Sequence, residues 1–172
     1  MLFKISTIYV LSDEYSLFYI NFIEKRKRNV QDAWQALSQT AIFASWSGYA
    51  FESLCLKHII AIKEALRIGG IYTETSSFIF QGNEVLPGAQ IDLLIDRNDQ
   101  AINLCEIKFH KTAFSISKSY AEQLRNKIAI FKEVTKTKKQ IFLTMITSYG
   151  VLDNKYCQEL IDNSLTMDVL FE

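Results

Sequence analysis

The spacing of apolar positions changes period several times along the chain, and each change marks an element. Ile8 to Leu11 reads as a short strand, and Ser12-Asp13-Glu14 as the cap of a helix reaching Lys27, rich in Tyr15, Phe18, Tyr19 and Phe22. A longer helix from Trp34 or Ser45 to Arg67 follows, with a break expected near Trp46-Ser47-Gly48. Phe51, Leu54, Cys55, His58 and Ile62 recur at helical spacing as its buried stripe, and Gly69-Gly70 reads as its stop. Ile71 to Phe80 is a strand, and Gln81 to Gly88, containing Pro87, a polar loop. Two apolar runs, Gly88 to Asp96 and Ala101 to Phe109, then flank Arg97-Asn98-Asp99-Gln100, the pattern of a β-hairpin. Ser117 to Thr135 is an amphipathic helix with Tyr120, Leu124, Ile128 and Phe131 inward. Gln140 to Ile146 is a continuous apolar strand expected to be central, Lys155 to Asn163 a last helix, and Met167 to Phe171 a terminal strand. The order helix, three strands, helix, strand predicts an α/β sandwich built on a mixed sheet.

The hairpin carries charges where its pattern calls for aliphatic carbon. Asp92, Glu106 and Lys108 sit inside its apolar runs. A charge buried on a strand costs several kcal/mol unless it is paired or bound to a metal. Glu106 and Lys108 share a face with Leu104, and Asp92 with Leu94 and Asp96, because side chains alternate along a strand. A three-residue loop, Asn98-Asp99-Gln100, sets Asp92 opposite Glu106, with Cβ atoms roughly 4.5–5.5 Å apart. A two-residue loop sends Glu106 to the other face and disperses the group. Two carboxylates that close repel unless a cation lies between them.

Asp92, followed about a dozen residues on by Glu106-x-Lys108 on the next strand, resembles the core of the PD-(D/E)xK nuclease superfamily, of restriction-endonuclease-like fold. Trp46-x-Gly48-x-x-Phe51-Glu52, Gln90-Ile91-Asp92-Leu93-Leu94 and Cys105-Glu106-Ile107-Lys108-Phe109 resemble the nuclease-like domain at the C-terminal end of many prokaryotic AAA-type ATPases. The resemblance spans residues 45–172, leaving 1–44 as an N-terminal helical appendage, a remnant of a winged-helix or ATPase linker. It implies a central mixed β-sheet flanked by helices and Mg²⁺- or Mn²⁺-dependent hydrolysis of DNA phosphodiester bonds. Asp92, Glu106 and the backbone carbonyl of Ile107 would hold the metal, Lys108 would orient water or stabilise charge, and Glu52 would support them. Gln123 and Lys127, one helical turn apart, would reach the scissile phosphate. Relatives often carry Glu two residues before the Asp; here Gln90 stands there, able to hydrogen-bond but not to add charge. No GxxxxGK[ST] phosphate loop occurs, so an ATPase partner would lie elsewhere, in cis or in trans.

Composition narrows the alternatives. Hydrophobic residues make up 49% of the 172 residues and charged ones 22%, with one Pro and six Gly, which describes a single ordered domain, with or without an appendage. Formal net charge is zero, so any DNA-binding face must be local; Lys25-Arg26-Lys27-Arg28, Lys136 to Lys139, Lys111, Lys118, Arg125 and Lys127 are the candidates. Cys55, Cys105 and Cys157 lack metal-ligand spacing and read as buried reduced thiols of a cytosolic chain, with neither a signal peptide nor a membrane span. Bland readings stand beside each functional one: a cross-strand ion pair for Asp92 and Lys108, an exposed helical acid for Glu52, packing for Trp46 and Tyr120, and solvated or satisfied side chains for His58, His110 and Lys136 to Lys139. The competing overall reading is a non-catalytic DNA-binding or regulatory module of an ATPase.

Overall fold

The computed structural model describes residues 13–24 and 33–171, and the chain divides into two units, residues 1–46 and 47–172. The expected strand at Ile8 to Leu11 and the basic run Lys25 to Arg28 lie outside the described residues. In the first unit, Asp13 caps α1 (Glu14–Phe18) by accepting from the Tyr15 and Ser16 amides. The helix then widens into a π-turn over Tyr19–Ile23, where the Glu24 amide donates to the Tyr19 carbonyl. Next come α2 (Ala33–Ser38) and α3 (Ala41–Lys57), the latter running on into the second unit. Phe18, Phe22, Trp34, Phe43 and Trp46 stack with ring centroids 5.2–5.8 Å apart, so Trp46 is a packing residue.

The long helix breaks elsewhere than expected. Gly48 lies inside α3, because the Thr40 hydroxyl caps that helix five residues before Ser45 by accepting from the Phe43 amide at 3.2 Å. The interruption comes at His58, whose amide is shared between the Leu54 and Cys55 carbonyls, and α4 (Ile59–Ala65) continues beyond it. Arg67, at φ 59°, takes the left-handed turn that ends α4, ahead of Gly69-Gly70.

The second unit is a five-stranded mixed sheet in the order β1-β2-β3-β4-β5, formed by β1 (Thr73–Phe80), β2 (Ala89–Arg97), β3 (Ala101–Lys108), β4 (Gln140–Thr147) and β5 (Asn163–Thr166). The first three strands are antiparallel neighbours, and β3, β4 and β5 run parallel. Two helices make the crossovers: α5 (Lys118–Thr135), capped by the Ser117 hydroxyl, and α6 (Lys155–Leu160), capped by Asn154. β3 occupies the centre, while β4 is interior beside it. The terminal strand comes earlier than expected: Asn163–Thr166 pairs with β4, and Met167–Leu170 turns into a 3-10 helix. Asp162 sets this register, its amide donating to the Leu143 carbonyl and its carboxylate accepting from the Leu143 amide.

Each sheet face buries its own core. Phe51, Cys55 and Ile62 of α3 and α4 cover Leu93, Ile95, Cys105, Ile107 and Ile146. Leu124 and Phe131 of α5 cover Ile91, Leu94, Ile102, Leu104 and Leu143 on the other face. The architecture is therefore an α/β sandwich, a central mixed sheet flanked by helices.

The hairpin loop has three residues. Leu93 faces Cys105 and Asp96 faces Ile102, and Gln100 closes the turn at φ 65°. Arg97 braces the turn against Asp99, and Lys139, half-buried, ties it to β4 through Asp96 and the Arg97 carbonyl. Lys139 is thus not part of a solvated turn. A left-handed backbone disfavours a β-branched side chain, and Gln100 is exposed. Gln100→Val should therefore cost about 1–2 kcal/mol in urea unfolding while Gln100→Gly costs nothing; equal effects would refute this account of the turn.

Candidate functional site

Strand pairing dictates where the charged residues meet. The register ends where Leu93 faces Cys105, and Asp92 and Glu106 are the next residues along the two strands. On its other edge β2 carries a bulge: Ser76 faces Leu94 but Phe78 faces Ile91, so Asp92 and Leu93 together oppose Ser77. The extra residue resets the alternation, which is why Ile91 joins Leu94 in the core beneath α5. The simple period that groups Asp92 with Leu94 and Asp96 fails at this point. Asp92 instead turns toward β3, where its Oδ2 accepts the Ile107 amide at 2.9 Å. That bond replaces a rung of the ladder and leaves β2 and β3 joined through a carboxylate.

Glu106 points beneath α5. It is 1% exposed, and both its oxygens lie 2.7 Å from Lys127 Nζ, one turn beyond Gln123. Tyr120, two turns before Lys127, donates its hydroxyl to Glu106 Oε2 at 3.5 Å. Lys108 Nζ stands 3.7 Å from Asp92 Oδ2 and 3.8 Å from Glu106 Oε2, with 36% of its side chain open to solvent. It bridges the two acids and faces outward.

Glu52 joins this group from α3, the helix on the opposite face of the sheet, at half-buried depth. Its pKa is raised, chiefly by burial and then by the charge of Asp92, with Lys108 pulling it down and Glu106 adding to the rise. Burial is likewise the main cause that raises Glu106, followed by Asp92, while Lys127 and Lys108 oppose it. The Tyr120 hydroxyl is pushed well above its usual range by burial and then by Glu106, so it remains a donor. Three carboxylates thus face two ammonium groups, leaving one negative charge uncompensated when all are ionised.

The structure brings Asp92, Glu106, Lys108, Ile107, Glu52 and Lys127 to one end of the sheet, and leaves two expected residues apart. Gln90 lies beyond the bulge, exposed and level with Ile79, and Gln123 is exposed on α5; neither hydrogen-bonds to the cluster. Tyr120, which helical spacing assigns to the core, also touches Glu106. Its position seven residues before Lys127, two turns up the same helix face, is the signal for that second role. Cys105 is fully buried behind Glu106, its thiol pushed up chiefly by burial, and Cys55 is pushed up to about 12 by the same cause. Both are inert thiols, whereas Cys157 is only half-buried.

Among the described residues no three His, Cys, Asp or Glu side chains converge as a ready-made metal cage. The oxygens that fit a hard divalent cation are those of Asp92 and Glu106 with the Ile107 carbonyl, a set suited to Mg²⁺ or Mn²⁺ rather than zinc. Two buried acids close to each other and a surplus negative charge make that fit chemically sound. Arg125 is engaged elsewhere, with Glu159 at 2.8 Å, and Lys118 is exposed at the start of α5. No helix among the described residues is long and apolar enough to cross a membrane.

No protein-family model matches the chain, and comparison with curated proteins gives no match. Among solved structures, the crystal structure of a protein of unknown function, AF1548, aligns over 68% of this chain at 19% identity, with a TM-score of 0.43. The aligned region spans 64% of that protein's length.

The raised carboxyls make a pH prediction. A native pKa above the unfolded one means the folded state holds its proton longer. Stability of the metal-free protein therefore falls as pH rises from the ordinary carboxylate range through the raised values, and levels off above them. Glu52→Gln removes its part of that fall. Unfolding free energies measured from pH 4 to 8 should show the variant gaining on the wild type as pH rises; a gain that shrinks with pH would contradict the electrostatic reading.

Proposed function

We propose that the unit formed by residues 47–172 is a Mg²⁺- or Mn²⁺-dependent deoxyribonuclease, working beside or attached to an AAA-type ATPase. One observation carries the reading: Asp92 and Glu106, on adjoining strands, both lie within 4 Å of the Lys108 ammonium, which is partly open to solvent. A structural ion pair needs one acid; two acids and an outward lysine suit an anionic substrate that arrives with a cation. A bound divalent ion supplies neutralising charge for the phosphate and acidifies a water.

The protein's own groups do the rest. Asp92 is held rigid by the Ile107 amide, so its free oxygen keeps a fixed direction. Lys108, between the two carboxylates and facing solvent, positions the attacking water and stabilises charge on the phosphoryl oxygens. Glu52 orients that water from the α3 side, its raised pKa making it a proton acceptor closer to neutrality than an ordinary glutamate. The water gives a proton to Glu52 as its oxygen bonds to phosphorus, the phosphorus–oxygen ester bond breaks, and the leaving oxygen takes a proton from solvent. Lys118 on the exposed start of α5 is available to the DNA backbone.

A second reading is favoured by the Lys127 contact. With both Glu106 oxygens already at 2.7 Å from an ammonium group, the cluster resembles a closed ion-pair network, as a non-catalytic DNA-binding or regulatory module of an ATPase would have. Cleavage of supercoiled and linear DNA with Mg²⁺ or Mn²⁺ separates the two. The nuclease reading expects metal-dependent cutting that drops about 100-fold or more in Glu106→Ala and in Lys108→Ala. Cutting unchanged in both variants, or absent from the wild type under all metal conditions, refutes it.

A further inference from the structure

Lys127 occupies the position of a cation. Its Nζ sits equidistant from the two oxygens of Glu106, whereas Lys108, the other ammonium of the cluster, stays 3.8 Å from the same carboxylate. A divalent ion on Glu106 and the ammonium of Lys127 cannot both hold those two oxygens. Lys127 has somewhere to go: its side chain is 25% exposed, it comes from the middle of α5 on a flexible four-carbon stem, and its hydrogen bonds are to Glu106 alone. Lys108 by contrast is already drawn to both acids and needs no movement to stay there.

We propose that Lys127 is a resident counter-cation, which holds Glu106 in the metal-free protein, is displaced when a divalent metal binds, and then presents its ammonium group to the DNA phosphate. This rests on the metal-dependent reading above and deepens it: metal affinity is set by competition with an internal amine, and metal entry delivers a phosphate-binding cation to the same site. The pair replaced is a partly exposed lysine on a buried carboxylate, so losing the competitor is worth a modest factor in affinity.

The test uses Mn²⁺ and Mg²⁺ alone, without DNA. Isothermal titration of the full chain should show Lys127→Met binding Mn²⁺ about five- to tenfold more tightly than the wild type. Lys108→Met removes the same charge from the cluster without removing an occupant of the Glu106 oxygens, so it should change affinity less. Reductive methylation read by mass spectrometry gives a second, independent view in the unaltered protein. Lys127 should be protected in the metal-free state and become several-fold more reactive with saturating Mg²⁺, while Lys118 stays constant. Metal binding with unchanged Lys127 reactivity, or weakened by Lys127→Met, overturns the displacement while leaving the nuclease reading intact. If neither the wild type nor Lys127→Met binds either ion, displacement fails together with the reading on which it rests.

Discussion

A carboxylate buried as deeply as that of Glu106 stays ionised only if cations are brought to it, and much of this sheet's local construction can be read from that requirement. Lys127 comes down from α5 and Lys108 reaches back from two residues along β3. Tyr120 adds a hydroxyl. Asp92 works against them by adding negative charge nearby, and Glu52 does so again from the opposite helix layer. A fold selected for stability alone would place leucine at such a position, as β3 does at Leu104. The acids are therefore a device maintained at a cost in stability.

Geometry makes the device possible. The β3–α5–β4 crossover between parallel strands lays α5 over the face on which Glu106 emerges. A three-residue hairpin loop sets Leu93 against Cys105, so that Asp92 and Glu106 come next on the two strands, and the bulge on β2 turns Asp92 to bind the Ile107 amide. Removing the bulge would return Asp92 to the simple alternation and unsettle Ile91 in the core beneath α5. Packing and chemistry are thus coupled through one irregularity of one strand.

Much of this was legible in the residues. The hairpin, the amphipathic α5 with Leu124 and Phe131 inward, and the buried stripe Phe51, Cys55 and Ile62 all follow from periodicity, while the choice between a two- and a three-residue hairpin loop was left open. The shared face of Glu106 and Lys108 followed from strand alternation, whereas the alternation that groups Asp92 with Leu94 broke down at the bulge. What periodicity could not show is where tertiary hydrogen bonds override local preference. Thr40 caps α3 early and carries the helix through Gly48, while His58 interrupts it without any glycine or proline. Asp162 pins β5 ahead of the more apolar Met167–Leu170. The bulge at Asp92 and Leu93 has no sequence mark, since no glycine announces it. Lys127 was visible as a candidate but not as the partner of Glu106, because that contact joins residues 21 apart through the crossover.

The most direct measurement of the central claim is the anomalous scattering of Mn²⁺ in crystals of the protein soaked or grown with that ion. The account predicts one strong peak at the end of the sheet, about 2.0–2.6 Å from an oxygen of both Asp92 and Glu106, with the Lys127 amine withdrawn from Glu106. Crystals in which Mn²⁺ binds elsewhere or nowhere, and Lys127 still lies on both Glu106 oxygens, would contradict it.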